Sequence, residues 1–230
     1  MFDRFQKRIA EKTATLSAAP VLIVALGDSV TQGCMAINVI DHVSVYHNVL
    51  KGMLEEKYPL CTFSVINAGV GGDSAAGGCK RLNRDVIRHA PDLLIVGFCL
   101  NDSGMGRDGI PQYQKSIGEI VQRTRAETEA EILLLTPNFM VSRDNERIAE
   151  QHRQLTEAFI KRQTDGTLKA YSDALKEVGV SMNVPVADVF AEWERLAASG
   201  ADTTAMLTNG LNHPDAERHR LIADTIMSHL

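Results

Sequence analysis

The chain has 230 residues, a net charge of -5, and a composition that is 44% hydrophobic and 23% charged. That is enough apolar material for one well-buried core, and the length is short for two full domains. These values exclude a disordered chain, and the acidic balance offers no general attraction to phosphate backbones, so no nucleic-acid partner is expected. No stretch approaches the roughly 18 apolar residues that a membrane-spanning helix needs, so no stable membrane insertion is expected.

At the start, Met1 to Ile9 mixes charges with apolar residues at helical spacing and lacks the apolar centre of a signal peptide. Residues 1–18 are therefore expected to form a helical extension, with Phe2, Phe5 and Ile9 on one packed face. A cytoplasmic location follows as the expectation. Cys34, Cys61, Cys79 and Cys99 stand far apart with no Cys-x-x-Cys pair, which suggests reduced thiols and no metal site.

The apolar run Val21 to Leu26 reads as a strand, and it ends in Gly27-Asp28-Ser29. A serine delivered by a tight turn to a strand's C-terminal edge projects its hydroxyl into the crevice where α/β proteins place ligands. Ser29 is thus a candidate nucleophile, although the same three residues also suit a loop start or helix cap. For Asp28 a structural role in holding that turn is favoured. Residues 43–57 have helical periodicity. A second strand at 62–66 leads into Asn67-Ala68-Gly69-Val70-Gly71-Gly72-Asp73-Ser74, whose glycines permit close backbone approach and an amide aimed at a ligand oxygen. This turn matches neither Gly-x-Gly-x-x-Gly nor the phosphate-loop pattern, which disfavours a nucleotide site.

Residues 74–89 look helical, and a third strand at 93–98 precedes Leu100-Asn101-Asp102-Ser103. Here Asn101 either donates its side-chain N–H to a developing oxyanion or forms an Asx-turn leaving the strand. A helix at 111–127, a strand at 132–135, a helical region over 146–179 and a short strand at 184–186 follow. The irregular segments 101–110 and 137–146 each follow a strand and are expected to rim the crevice. Asn209-Gly210-Leu211-Asn212-His213-Pro214 then precedes a last helix from about Asp215 to Leu230. His213, held on a loop at that helix start, is a candidate general base. The other histidines, 42, 47, 89, 152, 219 and 229, fall within expected helices or at their ends.

Alternating strands and helices predict a parallel sheet covered on both faces. The expected architecture is a single α/β domain over 1–230, a three-layer α/β/α sandwich with a flavodoxin-like five-stranded sheet in the order 2-1-3-4-5.

Together Gly27-Asp28-Ser29, Gly72 within Gly71-Gly72-Asp73-Ser74, Asn101 within Leu100-Asn101-Asp102, and His213-Pro214 resemble, in order, the blocks of the SGNH hydrolases, the GDSL esterase/lipase superfamily. The resemblance implies the same three-layer fold. It also implies a Ser29 nucleophile, a His213 base, and an oxyanion hole of Ser29 N–H, Gly72 N–H and the Asn101 side chain. Hydrolysis of small carboxylic esters would follow, with short acyl groups and carbohydrate O-acetyl esters as family-based substrates, and with no metal or organic cofactor. Acyl transfer to another alcohol, or a catalytically inactive ligand-binding module, are the alternatives.

Two positions depart from the family's pattern. Cys99 stands where the third block carries glycine, and Gly210 stands where the last block carries aspartate three residues before the histidine. Asn209 is the shifted counterpart, an expected orienter of His213 through its side-chain oxygen. A backbone carbonyl is the other way to orient the ring.

Overall fold

The computed structural model describes residues 2–230. Strands β1 (Val21–Gly27), β2 (Phe63–Gly69), β3 (Leu93–Gly97), β4 (Glu131–Leu135) and β5 (Val186–Ala187) form one parallel sheet ordered β2-β1-β3-β4-β5. That is the order expected from the sequence. Both faces of the central strands are covered, so Ile23, Val24, Leu26, Leu94, Ile95 and Leu133 are fully buried and the strands read as continuous apolar runs. Helix α3 (Tyr46–Lys57) packs with α9 (Ala216–Met227), while α4 (Ala75–Asp85), α5 (Ile110–Glu127) and α7 (Thr167–Met182) pack in series. Right-handed crossovers place these two groups on opposite faces.

Register positions the site. Gly27, the last residue of β1, pairs with Gly69 of β2 and with Gly97 of β3. Three strands therefore end at one level, and the loops leaving them, which carry Ser29, Gly72 and Asn101, emerge side by side.

Helix α1 (Asp3–Ala14) forms as its periodicity suggests, with Phe2, Phe5 and Ile9 buried against the body. Other boundaries differ from the expectation, each for a local reason. The helix expected at 43–57 begins only at Tyr46, because the Asp41 carboxylate accepts the Val43 and Ser44 N–H groups at 2.8 Å and folds that stretch into a turn. The 146–179 region is divided. Glu150–Leu155 is 3₁₀, α6 spans Thr156–Thr164, and Gly166 in a left-handed conformation breaks the chain before α7. Segment 101–110 contains two short 3₁₀ turns, Asp102–Met105 and Arg107–Gly109. An unanticipated helix, α8 (Val189–Ala198), buries Val189, Phe190 and Trp193.

Candidate active site

A single-turn α-helix, α2 (Ser29–Gln32), starts directly after β1. Asp28 caps it, its Oδ1 accepting the Val30 N–H at 2.9 Å from a buried position. That is the structural role favoured for Asp28 from sequence. Removal from water pushes its carboxyl up to about 7. Ser29 is the first residue of the helix, so its own N–H has no intrahelical acceptor and remains available to a ligand.

The Ser29 hydroxyl lies 3.0 Å from His213 Nε2, across a sequence separation of 184 residues. On the other side of the ring, Nδ1 lies 2.8 Å from the Met35 carbonyl oxygen. A carbonyl only accepts, so Nδ1 carries the proton and the lone pair of Nε2 faces the serine hydroxyl. This is the tautomer a general base needs. Burial lowers the His213 pKa more than the Met35 bond raises it, and His152 adds a smaller lowering effect. The imidazole is therefore held in its neutral form near neutrality.

Asn209 does not reach the ring, and the expectation that its side chain orients His213 is corrected accordingly. Its Oδ1 accepts the backbone N–H groups of Leu211, Asn212 and His213, each at 3.0 Å, and its Nδ2 donates to the Asn212 side chain. A single oxygen closes the loop on itself and has no capacity left for imidazole. Gly210, in the place where the family carries aspartate, has φ +71, a conformation that L side chains avoid. A Cβ there would lie 2.4 Å from Asn145 Oδ1 and 2.9 Å from the Ile148 nitrogen. No aspartate fits at position 210, and the Met35 carbonyl occupies the hydrogen-bonding role instead.

The loop after β2 places Gly72 at the surface with φ +75, and among the described residues its N–H has no acceptor. Asn101 Nδ2 donates to the Asp73 carbonyl oxygen at 2.8 Å, which fixes the amide beside the Gly72 turn and leaves its second N–H for another acceptor. Asp102, next in sequence, is buried and accepts the Ala75 N–H at 3.0 Å, tying the β3 loop to the start of α4. Desolvation pushes its carboxyl up to about 6. Cys99, in the place of the family's glycine, is fully buried under this loop, and burial raises its thiol pKa well above the usual range.

Sequence reasoning did not single out Arg81. Its guanidinium donates to Gly27 O at 2.8 Å, Ala68 O at 2.6 Å and Asp73 Oδ2 at 2.7 Å, with Asp85 as a further carboxylate partner. One side chain thus joins the ends of β1 and β2 to Asp73, whose carbonyl holds Asn101. An arginine beside Lys80 and Arg84 in an amphipathic helix gives no sequence signal of this. Met35 was equally invisible, because the group it supplies is a main-chain carbonyl.

A family model for the "GDSL-like Lipase/Acylhydrolase family" matches residues 25–221, from inside β1 to inside α9. The chain belongs to this family. Membership places it with carboxylic ester hydrolases, and it accounts for the SGNH hydrolase motifs and the α/β sandwich together. The GDSL-family chain is 28% identical over 136 residues to Esterase TesA of Pseudomonas aeruginosa, a match covering 54% of the chain and 60% of that relative's length. Its fold is similar to the lipase/acylhydrolase from Enterococcus faecalis, with TM-score 0.68, 22% identity and coverage of 90% of this chain and 94% of that one. An acetylxylan esterase from Geobacillus stearothermophilus gives TM-score 0.68 at 18% identity, covering 92% and 94% of the two chains. No helix among the described residues is long and apolar enough to cross a membrane.

Proposed function

We propose that this GDSL-family protein is a serine hydrolase that cleaves small carboxylic esters of short acyl groups through a Ser29 acyl-enzyme. The observation that carries the reading is the 3.0 Å contact between Ser29 Oγ and the unprotonated Nε2 of His213. In acylation, Ser29 Oγ forms a bond to the ester carbonyl carbon as its proton passes to Nε2. The negative charge that develops on the carbonyl oxygen faces the N–H groups of Ser29 and Gly72 and the free N–H of Asn101. Each such preorganised donor is worth about 3 kcal/mol to a transition state of this kind. Collapse breaks the bond to the alcohol oxygen, which takes the proton from Nε2, and a water activated by the same nitrogen then releases the acid and restores Ser29.

The imidazolium that forms transiently has a dipole at Nδ1 and no carboxylate. Met35 O orients the ring and stabilises the charge less than an anion would, so the reading is of a Ser-His dyad. Intact-mass measurement after fluorophosphonate treatment tests it, together with p-nitrophenyl acetate turnover. One adduct, absent from Ser29→Ala, with turnover lost in Ser29→Ala and His213→Ala, is expected. A folded protein with neither adduct nor turnover would return the chain to the ligand-binding alternative. Acyl transfer to an alcohol other than water is read from the products when alcohol acceptors are added.

A further inference from the structure

A groove of about 300 Å³ runs beside His213. One wall is the loop after α2, where Met35, Ile37, Val39 and Ile40 alternate with Cys34, Ala36 and the single amide Asn38, and Gln151 and His152 from the 3₁₀ turn at 150–155, Asn209 and His213 complete the lining. The volume is at the lower end of the range for small-molecule sites. Among the described residues no carboxylate, ammonium or guanidinium lines it. Val39 and Ile40 are 48% and 42% exposed, and Val43 just beyond them is 75% exposed, so apolar surface faces water in this part of the chain.

Reaction geometry decides which half of an ester belongs there. The carbonyl oxygen must point at Ser29 N–H, Gly72 and Asn101, which stand on the loops after β1, β2 and β3. The departing oxygen must lie within reach of Nε2, because the proton that leaves Ser29 is delivered to it from there. The alcohol half is therefore the half on the His213 side, where the groove is.

We propose that this groove binds the alcohol portion of the substrate, and that this alcohol is compact, apolar and uncharged, such as an aryl or short alkyl alcohol. The inference rests on the serine-hydrolase reading and narrows it. Aliphatic side chains gain from desolvating a hydrocarbon or aromatic ring, whereas the sugar hydroxyls that face Ile37, Val39 and Ile40, rather than Asn38, Gln151 or His152, would be left without partners. Trp193, the single tryptophan of the chain, is fully buried against Phe139 and is not available as a stacking platform for a pyranose.

The test holds the acyl group at acetate and varies the alcohol, comparing benzyl and hexyl acetate with an O-acetylated methyl xyloside in the full-length protein. A second series holds the alcohol at p-nitrophenol and lengthens the acyl chain. The apolar acetates are expected to exceed the sugar acetate in kcat/KM by roughly tenfold or more, the discrimination available to a small hydrophobic pocket. Val39→Asp and the milder Val39→Ser should lower that ratio chiefly through KM, by about tenfold for the aspartate. Val180→Asp, an equally simple exchange at an exposed valine on α7, should leave it unchanged. Preference for the sugar acetate, or a ratio indifferent to Val39, overturns the proposal. So does a Val39 effect confined to the acyl series, which would assign the groove to the acid half. Absence of a fluorophosphonate adduct on Ser29 is a distinct result that removes the serine-hydrolase reading itself.

Discussion

The Met35 carbonyl oxygen stands 2.8 Å from His213 Nδ1, where a carboxylate completes the triad in many serine hydrolases. This contact sets the tautomer without adding charge. Asn209 supports it indirectly, by holding the His213 backbone. Asn209→Ala leaves two buried N–H groups and one part-buried N–H group without their acceptor, at about 1–3 kcal/mol for each buried one before relaxation, so a lower melting temperature and weak turnover are expected. Asn209→Asp keeps an oxygen in place. Calorimetry and steady-state kinetics should therefore separate the two variants, with aspartate retaining turnover far better than alanine.

Gly210→Asp restores the residue type that the family carries three positions before its histidine. It should not strengthen catalysis. The left-handed backbone and the 2.4 Å approach to Asn145 Oδ1 make any side chain there disruptive. Loss of stability of about 1–3 kcal/mol, with turnover no higher than the parent, is the expected outcome of a denaturant melt and a p-nitrophenyl acetate assay.

The pH profile follows from the direction of the His213 shift. Burial depresses its pKa below the ordinary 6.5 for imidazole, so the base stays unprotonated through neutrality. The acid limb of kcat/KM is expected to have its midpoint below 6.5, with activity lost as pH falls through it. A midpoint above that value would show that a negative charge reaches the ring.

Arg81 is expected to act on the oxyanion donors without touching substrate. Removing it frees Asp73, and with it the anchor of Asn101. Arg81→Ala should lower kcat by on the order of tenfold or more with a smaller change in KM, the pattern of an interaction made mainly in the transition state. Arg81→Lys keeps a charge without the planar fork that spans Gly27 O, Ala68 O and Asp73, and should recover only part of the loss. Equal losses in kcat and in thermal stability that lysine fully restores would argue against this role.

Asp28 gives a stability signature. Its carboxyl sits at about 7 when folded, against about 3.8 for the free group. Between those values the unfolded chain has released its proton while the folded chain retains it, so this group lowers stability as pH rises from about 4 to about 7, and adds no further slope above that. Asn in its place still offers an oxygen to the Val30 N–H and carries no such penalty. The melting-temperature difference between Asp28→Asn and the parent should rise between about pH 4 and pH 7 and level off above that.

Much of the fold was legible because parallel strands buried on both faces cannot hide. Val21 to Leu26 and Leu93 to Val96 read as strands for the same reason that they are buried. The candidate residues Ser29, Gly72, Asn101 and His213 could be singled out because each sits in a short motif just after a strand or just before a helix. The elements that were missed depend on tertiary partners. Arg81 looks like any helical arginine until β1 and β2 end beneath it. Segment 146–155 has helical spacing, yet the chain leaves Asn145, which donates to Gly210 O at 2.9 Å, through a turn and forms 3₁₀ geometry only over Glu150–Leu155. Strand β5 shrinks to Val186–Ala187 because Pro185 offers a carbonyl to Leu134 but has no N–H to give to the ladder.

Met35 has two attachments: its carbonyl holds the base, and the loop it begins, closed by the Met35 N–H to Val39 O bond at 2.9 Å, forms one wall of the groove. On the proposed reading, the seat for the leaving group and the alignment of the proton carrier are one mechanical unit. In the proposed dyad, a molecule that spreads Met35 from the imidazole is expected to release the ring to rotate and to silence Ser29 without contacting it, a second route to inhibition beside capping the hydroxyl.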